Sequence, residues 1–202
     1  MLRKFIFFLL GFTMFLGSVS FAEAGEAVDQ LKQSIDKVLG ILQDSRLNAP
    51  QMKQQRRDKI FQAVEERFDF GEMAKRSMSE YWPQLSPAEQ KEFQEAFSHL
   101  LENSYISKVE KYSDEKVSYN EEKPKGSRYY LVSTTILSKG QSIPLDYSLY
   151  NVNGQWMVYD VNIEGVSLVT NYRSQFRELM RKEGFKGLMS KINEKLTKIE
   201  EG

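Results

Sequence analysis

The sequence predicts an α+β domain in which an antiparallel sheet of about four strands is covered by N- and C-terminal helices. Three observations predict it. Apolar residues recur at helical spacing from Val28 to Tyr105, the period changes to two between Lys116 and Ile163, and helical spacing returns after Gly165.

Val28, Leu31, Ile35, Val38, Leu39 and Leu42 make the stripe of a first helix that ends near Asn48-Ala49-Pro50. Pro50 suits the first turn of a second helix, striped by Ile60, Phe61 and Val64 with Phe68 at its end. Asp69-Phe70-Gly71-Glu72 has capping-box spacing and starts a short helix through Met73 and Met78, stopped by Trp82-Pro83. Ser86-Pro87-Ala88-Glu89 repeats the box with proline at the first helical position. It opens the longest helix, through Phe93, Phe97, Leu100, Leu101 and Tyr105.

Strands follow at 117–121, 128–138 and 143–150, separated by Pro124-Lys125-Gly126 and Lys139-Gly140. A two-residue turn at Lys139-Gly140 sets Ser138 opposite Gln141, Ile136 opposite Ile143, Val132 opposite Tyr147 and Tyr130 opposite Leu149. In the next hairpin a two-residue Asn153-Gly154 loop would set Tyr147 against Asp160 and scramble the apolar face. The pattern therefore predicts a three-residue loop, Val152-Asn153-Gly154, with Leu149 meeting Met157, Tyr147 meeting Tyr159, Leu145 meeting Val161 and Ile143 meeting Ile163. Tyr150 and Trp156 then lie on the other face, where Asp146 sits across from Asp160. Beyond Gly165, one helix takes Val166, Val169, Tyr172, Phe176 and Leu179. Another takes Phe185, Leu188, Met189, Ile192, Leu196 and Ile199, with Gly184 and Gly187 weakening the joint.

Arg3 and Lys4, an apolar run from Phe5 to about Val19, and small residues at Ala22 and Ala24 have the layout of a cleavable secretory signal. The run is shorter than the roughly 20 apolar residues of a membrane-spanning helix, and the Ala-Glu-Ala site disfavours an uncleaved anchor. With no cysteine anywhere, lipoprotein attachment, disulfides and thiolate metal sites are excluded. The domain division expected is a signal peptide at 1–24 and a single domain at 25–202. Export removes Arg3, Lys4 and Glu23, turning 28 basic and 28 acidic residues into 26 and 27, a formal charge of −1. A neutral surface argues against a nucleic-acid partner.

No catalytic motif stands out. His99 is the single histidine, so an imidazole metal cluster is impossible, and Ser133, Ser148, Ser167 and Asn171 lack a recognisable base. The carboxylates Asp146 and Asp160, facing each other, could share a proton and support an enzyme, although pairing of one with a lysine or arginine is the plainer reading. The broad, tyrosine-rich sheet face is either ordinary core or the wall of a cavity admitting acyl chains. A solid-cored adaptor would show the same pattern without a cavity. Lys75, Arg76, Arg128 and Arg173 could meet phosphate headgroups or an acidic partner.

Three blocks, FDFGEMAKRSMSEYWPQLSPAEQKEF from Phe68, LDYSLY from Leu145 and YDVNIEGVSLVTNYRSQF from Tyr159, resemble the MlaC or toluene-tolerance family of periplasmic phospholipid-binding proteins. The resemblance covers nearly all of the exported chain, and the last block is its most specific part. It implies an NTF2-like or cystatin-like fold, no catalysis, and no cofactor beyond phospholipid as cargo. The lipid tails would insert between sheet and helices, with the headgroup outside and weakly selected. The implied wall is Met73, Met78, Tyr81, Trp82, Phe97, Leu101, Tyr105, Val132, Tyr147, Leu149, Val161, Val166 and Val169. The implied role is a monomeric periplasmic shuttle between outer and inner membranes within an ABC-type lipid transport system. Its partners would be an outer-membrane lipoprotein complex and an inner-membrane ABC transporter with a substrate-binding ring. No phosphate-binding loop is present, so energy comes from elsewhere.

Overall fold

The computed structural model describes residues 22–112, 116–138 and 140–200. The apolar run of the expected signal peptide, within 1–21, and Lys139 of the expected two-residue turn lie outside the described residues.

Helix α1 (Ala22–Gln43) is followed by two single 3-10 turns, Ser45–Leu47 and Pro50–Met52. Pro50 stands at the start of the second turn, which runs into α2 (Lys53–Glu65). Helix α3 (Phe70–Met78) begins where Asp69 accepts from Glu72 N at 2.8 Å. The reciprocal half of that box is replaced: Glu72 takes Arg76 Nε at 2.8 Å. A 3-10 segment, Ser79–Gln84, holds Trp82 and Pro83, and a complete Ser86/Glu89 capping box opens α4 (Pro87–Val109).

The sheet runs β1 (Lys116–Pro124), β2 (Tyr129–Ser138), β3 (Gln141–Val152), β4 (Gln155–Ile163) and β5 (Val166–Ser167), in that spatial order and antiparallel throughout. The fifth strand is a two-residue addition to the four expected. All four β2/β3 pairs predicted from the Lys139-Gly140 turn are present.

The β3/β4 hairpin differs from expectation. Val152 pairs with Gln155 across a two-residue turn in which Asn153 (φ 53°) and Gly154 (φ 88°) are both left-handed, the conformation whose twist matches the flanking strands. A β-bulge opposite Ser148 and Leu149 then shifts the register. Leu149 meets Val158, Tyr147 meets Val161 and Leu145 meets Ile163, in place of Met157, Tyr159 and Val161. The bulge repairs the apolar face where a longer loop was expected. It buries Trp156 (1% exposed) and Val158 on the inner face and leaves Met157 and Tyr159 half-buried.

Val166 lies on β5, not on the last helix, and a Glu164-Gly165 turn with both residues at positive φ returns the chain to it. Helix α5 (Leu168–Glu200) is broken at Gly184, whose φ of 67° and ψ of −171° are accessible to glycine almost alone. Its halves, 168–183 and 185–200, fold onto α3 and α4 around Phe93, Phe97, Tyr172, Phe176 and Leu188. A second core joins Ala27 and Leu31 of α1 to the inner sheet face, and a small third one unites Leu42, Ile60 and Ile106. Val158 ties the layers together, donating to Arg67 O at 2.8 Å and accepting from Asp69 N at 2.9 Å. Among the described residues no helix is long and apolar enough to cross a membrane.

Candidate functional site

Helix α1 shows where the core stops. Its stripe buries Ala27, Leu31 and Leu42, whereas Ile35, Val38 and Leu39 are only half-buried: they pack against the edges of the cores and also line a void. Opposite them stand Tyr105 and Val109 of α4, Val117 of β1, and Ile136, Ile143, Leu145, Tyr147 and Ile163 on the inner sheet face. Together they enclose a cavity of about 460 Å³.

A side lobe of about 190 Å³ extends beneath α2, walled by Ile60 and Phe61, Phe70 and Met73 of α3, Leu101 and Ile106 of α4, and Val161. Val64, Phe68, Tyr105, Leu145, Tyr147 and Ile163 line both volumes, which makes them one branched space. Exposed Lys108, Glu164, Val166 and Asn171 mark its rim.

The main cavity is apolar inside its rim, and Glu102 is the charged residue that borders the side lobe. Burial pushes the Tyr147 hydroxyl up to about 12 against the lowering effect of Thr134, and burial raises Tyr105 as well. Both hydroxyls therefore stay protonated at neutral pH. A larger groove of about 760 Å³ between α2 and α4 is lined by Lys53, Arg57, Asp58, Glu65, His99 and Glu102, and so shelters no hydrocarbon.

Of the thirteen wall residues named from sequence, the structure places Met73, Leu101, Tyr105, Tyr147, Val161 and Val166 on the branched cavity. Met78, Phe97 and Val169 lie in the helical core, with Tyr81 and Trp82 packed against it. Val132 and Leu149 lie in the sheet core, fully buried. The contribution of α1 was missed, although its unbroken apolar stripe was the available signal.

Asp146 and Asp160 are not paired. Asp146 lies opposite Asn162 and Asp160 opposite Ser148, because the two-residue turn and the bulge each move the register by one position. Asp160 caps α5, its Oδ1 accepting from Val169 N at 3.0 Å and its Oδ2 from Ser167 Oγ at 2.5 Å. Arg76 stacks 4.0 Å from the Tyr159 ring, and Arg173 Nε donates to Arg76 O at 2.9 Å, so these cations serve the helix–sheet junction.

The family model of the MlaC protein matches residues 32–194, spanning both helical layers and the sheet. The chain belongs to the MlaC family. Curated relatives include the toluene tolerance protein ttg2D of Pseudomonas putida, 25% identical over 105 residues, covering 52% of this chain and 49% of that protein. The intermembrane phospholipid transport system binding protein MlaC of Haemophilus influenzae is 23% identical over 122 residues, covering 58% and 57%. The chain thus spans about half the length of the curated relatives it matches. A solved structure, that of the phospholipid-binding protein from Ralstonia solanacearum in complex with a phospholipid at 1.53 Å, superposes with a TM-score of 0.76. It is 26% identical and covers 86% of this chain and 98% of its own. The α+β architecture is therefore that of an MlaC-type phospholipid-binding protein.

Proposed function

We propose that the protein is a periplasmic phospholipid carrier that holds acyl chains in the branched cavity and leaves the headgroup at its rim. The observation that carries this reading is the apolar void between α1, α4 and the sheet, with half-buried aliphatic walls where a solid domain would have closed its core.

Sheltering a methylene from water is worth roughly 0.8 kcal/mol, so the two tails of a phospholipid need on the order of 20 kcal/mol of shelter. A methylene fills about as much space as a water, roughly 30 Å³, so the 460 Å³ volume matches about fifteen methylenes, one tail. A full second tail requires the side lobe to widen. Helix α2 is the wall suited to move, since it buries only Ile60 and Ala63. Slow spontaneous release makes membrane partners necessary at both ends of the path. Family membership supports an outer-membrane lipoprotein complex and the substrate-binding ring of an inner-membrane ABC transporter, with export by the N-terminal signal and no catalytic step in the carrier.

The test is uptake: delipidated protein is incubated with vesicles carrying fluorescent phospholipid and separated by gel filtration. Label eluting with the protein near one molecule per chain is expected. Label remaining wholly with vesicles contradicts the reading.

A further inference from the structure

Glu102 of α4 stands in the wall between two unlike spaces. With Phe61 and Ile106 it lines both the polar groove between α2 and α4 and the apolar side lobe, where it is the one charged residue among those described. Its side chain is 17% exposed, and it pairs with His99, whose Nδ1 lies 3.5 Å away. From α2, Asp58 and Glu65 act on it with like charge, while Arg57, which feels the Glu102 charge, is committed to Glu110 at 2.7 Å. Lys53 also lines the groove, and the residues that α3, α5 and the sheet add to the two spaces carry no charge at neutral pH. Burial, helped by the two acidic neighbours, pushes the Glu102 carboxyl upward against the lowering effect of His99.

We infer that phospholipid loading is coupled to a proton at Glu102, whose ionised carboxylate keeps hydrocarbon out of the side lobe and whose protonated form admits a tail. This deepens the carrier reading above and rests on it. A tail that fills the lobe replaces the water left to this carboxylate with methylenes, and a charge stripped of water is costly where no buried cation compensates it. The neutral acid costs far less. A lipid that prefers the protonated form draws a proton in as it binds, so affinity rises as pH falls through the Glu102 value, by at most about tenfold per pH unit for one proton. Glu110 is held below the usual glutamate range, so the Arg56/Arg57 clamp on α2 stays charged in that window.

The experiment incubates the delipidated exported chain with phosphatidylglycerol vesicles, whose phosphate stays ionised, from about pH 7.5 down to about pH 5. Lipid bound per chain is measured at limiting vesicle concentration, and a rise of about threefold or more is expected in the wild type. Glu102→Gln should bind at the low-pH level throughout. His99→Gln, which removes the pairing cation, should move the rise to higher pH, and circular dichroism checks the fold of both variants. A flat wild-type profile, or a rise that persists in Glu102→Gln, overturns the inference while leaving the carrier reading intact. No lipid bound at any pH removes the carrier reading itself.

Discussion

The Tyr150 hydroxyl donates to Asp69 Oδ2, joining β3 to the residue that starts α3. The other oxygen of that carboxylate accepts from Glu72 N at 2.8 Å, so one aspartate both caps a helix and fastens it to the sheet. Burial, with the neighbouring Asp69 carboxylate, pushes the Tyr150 hydroxyl up, which keeps it a donor through neutral pH. Tyr150→Phe should cost about 1–2 kcal/mol, and Asp69→Ala, which also removes the cap, about 2–3 kcal/mol. Urea midpoints at unchanged slope measure both.

Leu145 and Leu149 share a strand and a face but not a role. Leu145 is half-buried and lines both lobes, whereas Leu149 is fully buried in the sheet core. Leu145→Glu should leave a folded protein that no longer takes up phospholipid. Leu149→Glu buries an unpaired charge and should cost more than about 3 kcal/mol, losing the fold along with the lipid. Vesicle uptake set beside thermal melts separates the two.

Glu110, at the end of α4, holds α2 through Arg56 Nη2 at 3.2 Å and Arg57 Nη2 at 2.7 Å, with its side chain 9% exposed. Desolvation raises its carboxyl, but the hydrogen bonds from Arg57 and Arg56 outweigh that and hold it below the usual glutamate range. A group depressed in the folded state adds stability above its unfolded value, and that stability disappears as pH falls through the folded one. Stability should therefore drop from about pH 4.3 downward, and Glu110→Gln should flatten that part of the pH profile. The same variant frees α2 and should speed phospholipid exchange between protein and vesicles.

The α5 break is encoded by two glycines. Gly184 adopts a conformation that other residues avoid, and a Cβ on Gly187 would sit 2.2 Å from Glu183 Cβ. Gly184→Ala and Gly187→Ala should each destabilise by about 1–3 kcal/mol, because the 185–200 segment closes the helical core through Phe185, Leu188 and Ile192. Calorimetric melting compares the variants with the wild type.

Periodicity and capping made most elements legible. The Ser86/Glu89 box, the Lys139-Gly140 hairpin and the glycine joint of the last helices all follow from local chemistry. What stayed hidden depends on tertiary choice. Simple alternation turned Tyr159 inward, but a bulge exchanges the faces so that Trp156 packs 5.1 Å from Tyr130, and because Trp156, Met157, Val158 and Tyr159 are all apolar or aromatic the phase shift does not show in the pattern. The cavity was hidden for a related reason. Val38 and Leu39 carry the same apolar signal as buried Leu31, and only the packing shows that nothing fills the space before them.

In the cell the void should be filled by phospholipid. Native mass spectrometry of the exported protein, purified from a bacterial envelope without detergent and followed by organic extraction, tests it directly. A mass shifted by about one phospholipid per chain is expected. An unshifted protein mass that persists after incubation with phospholipid vesicles would contradict it.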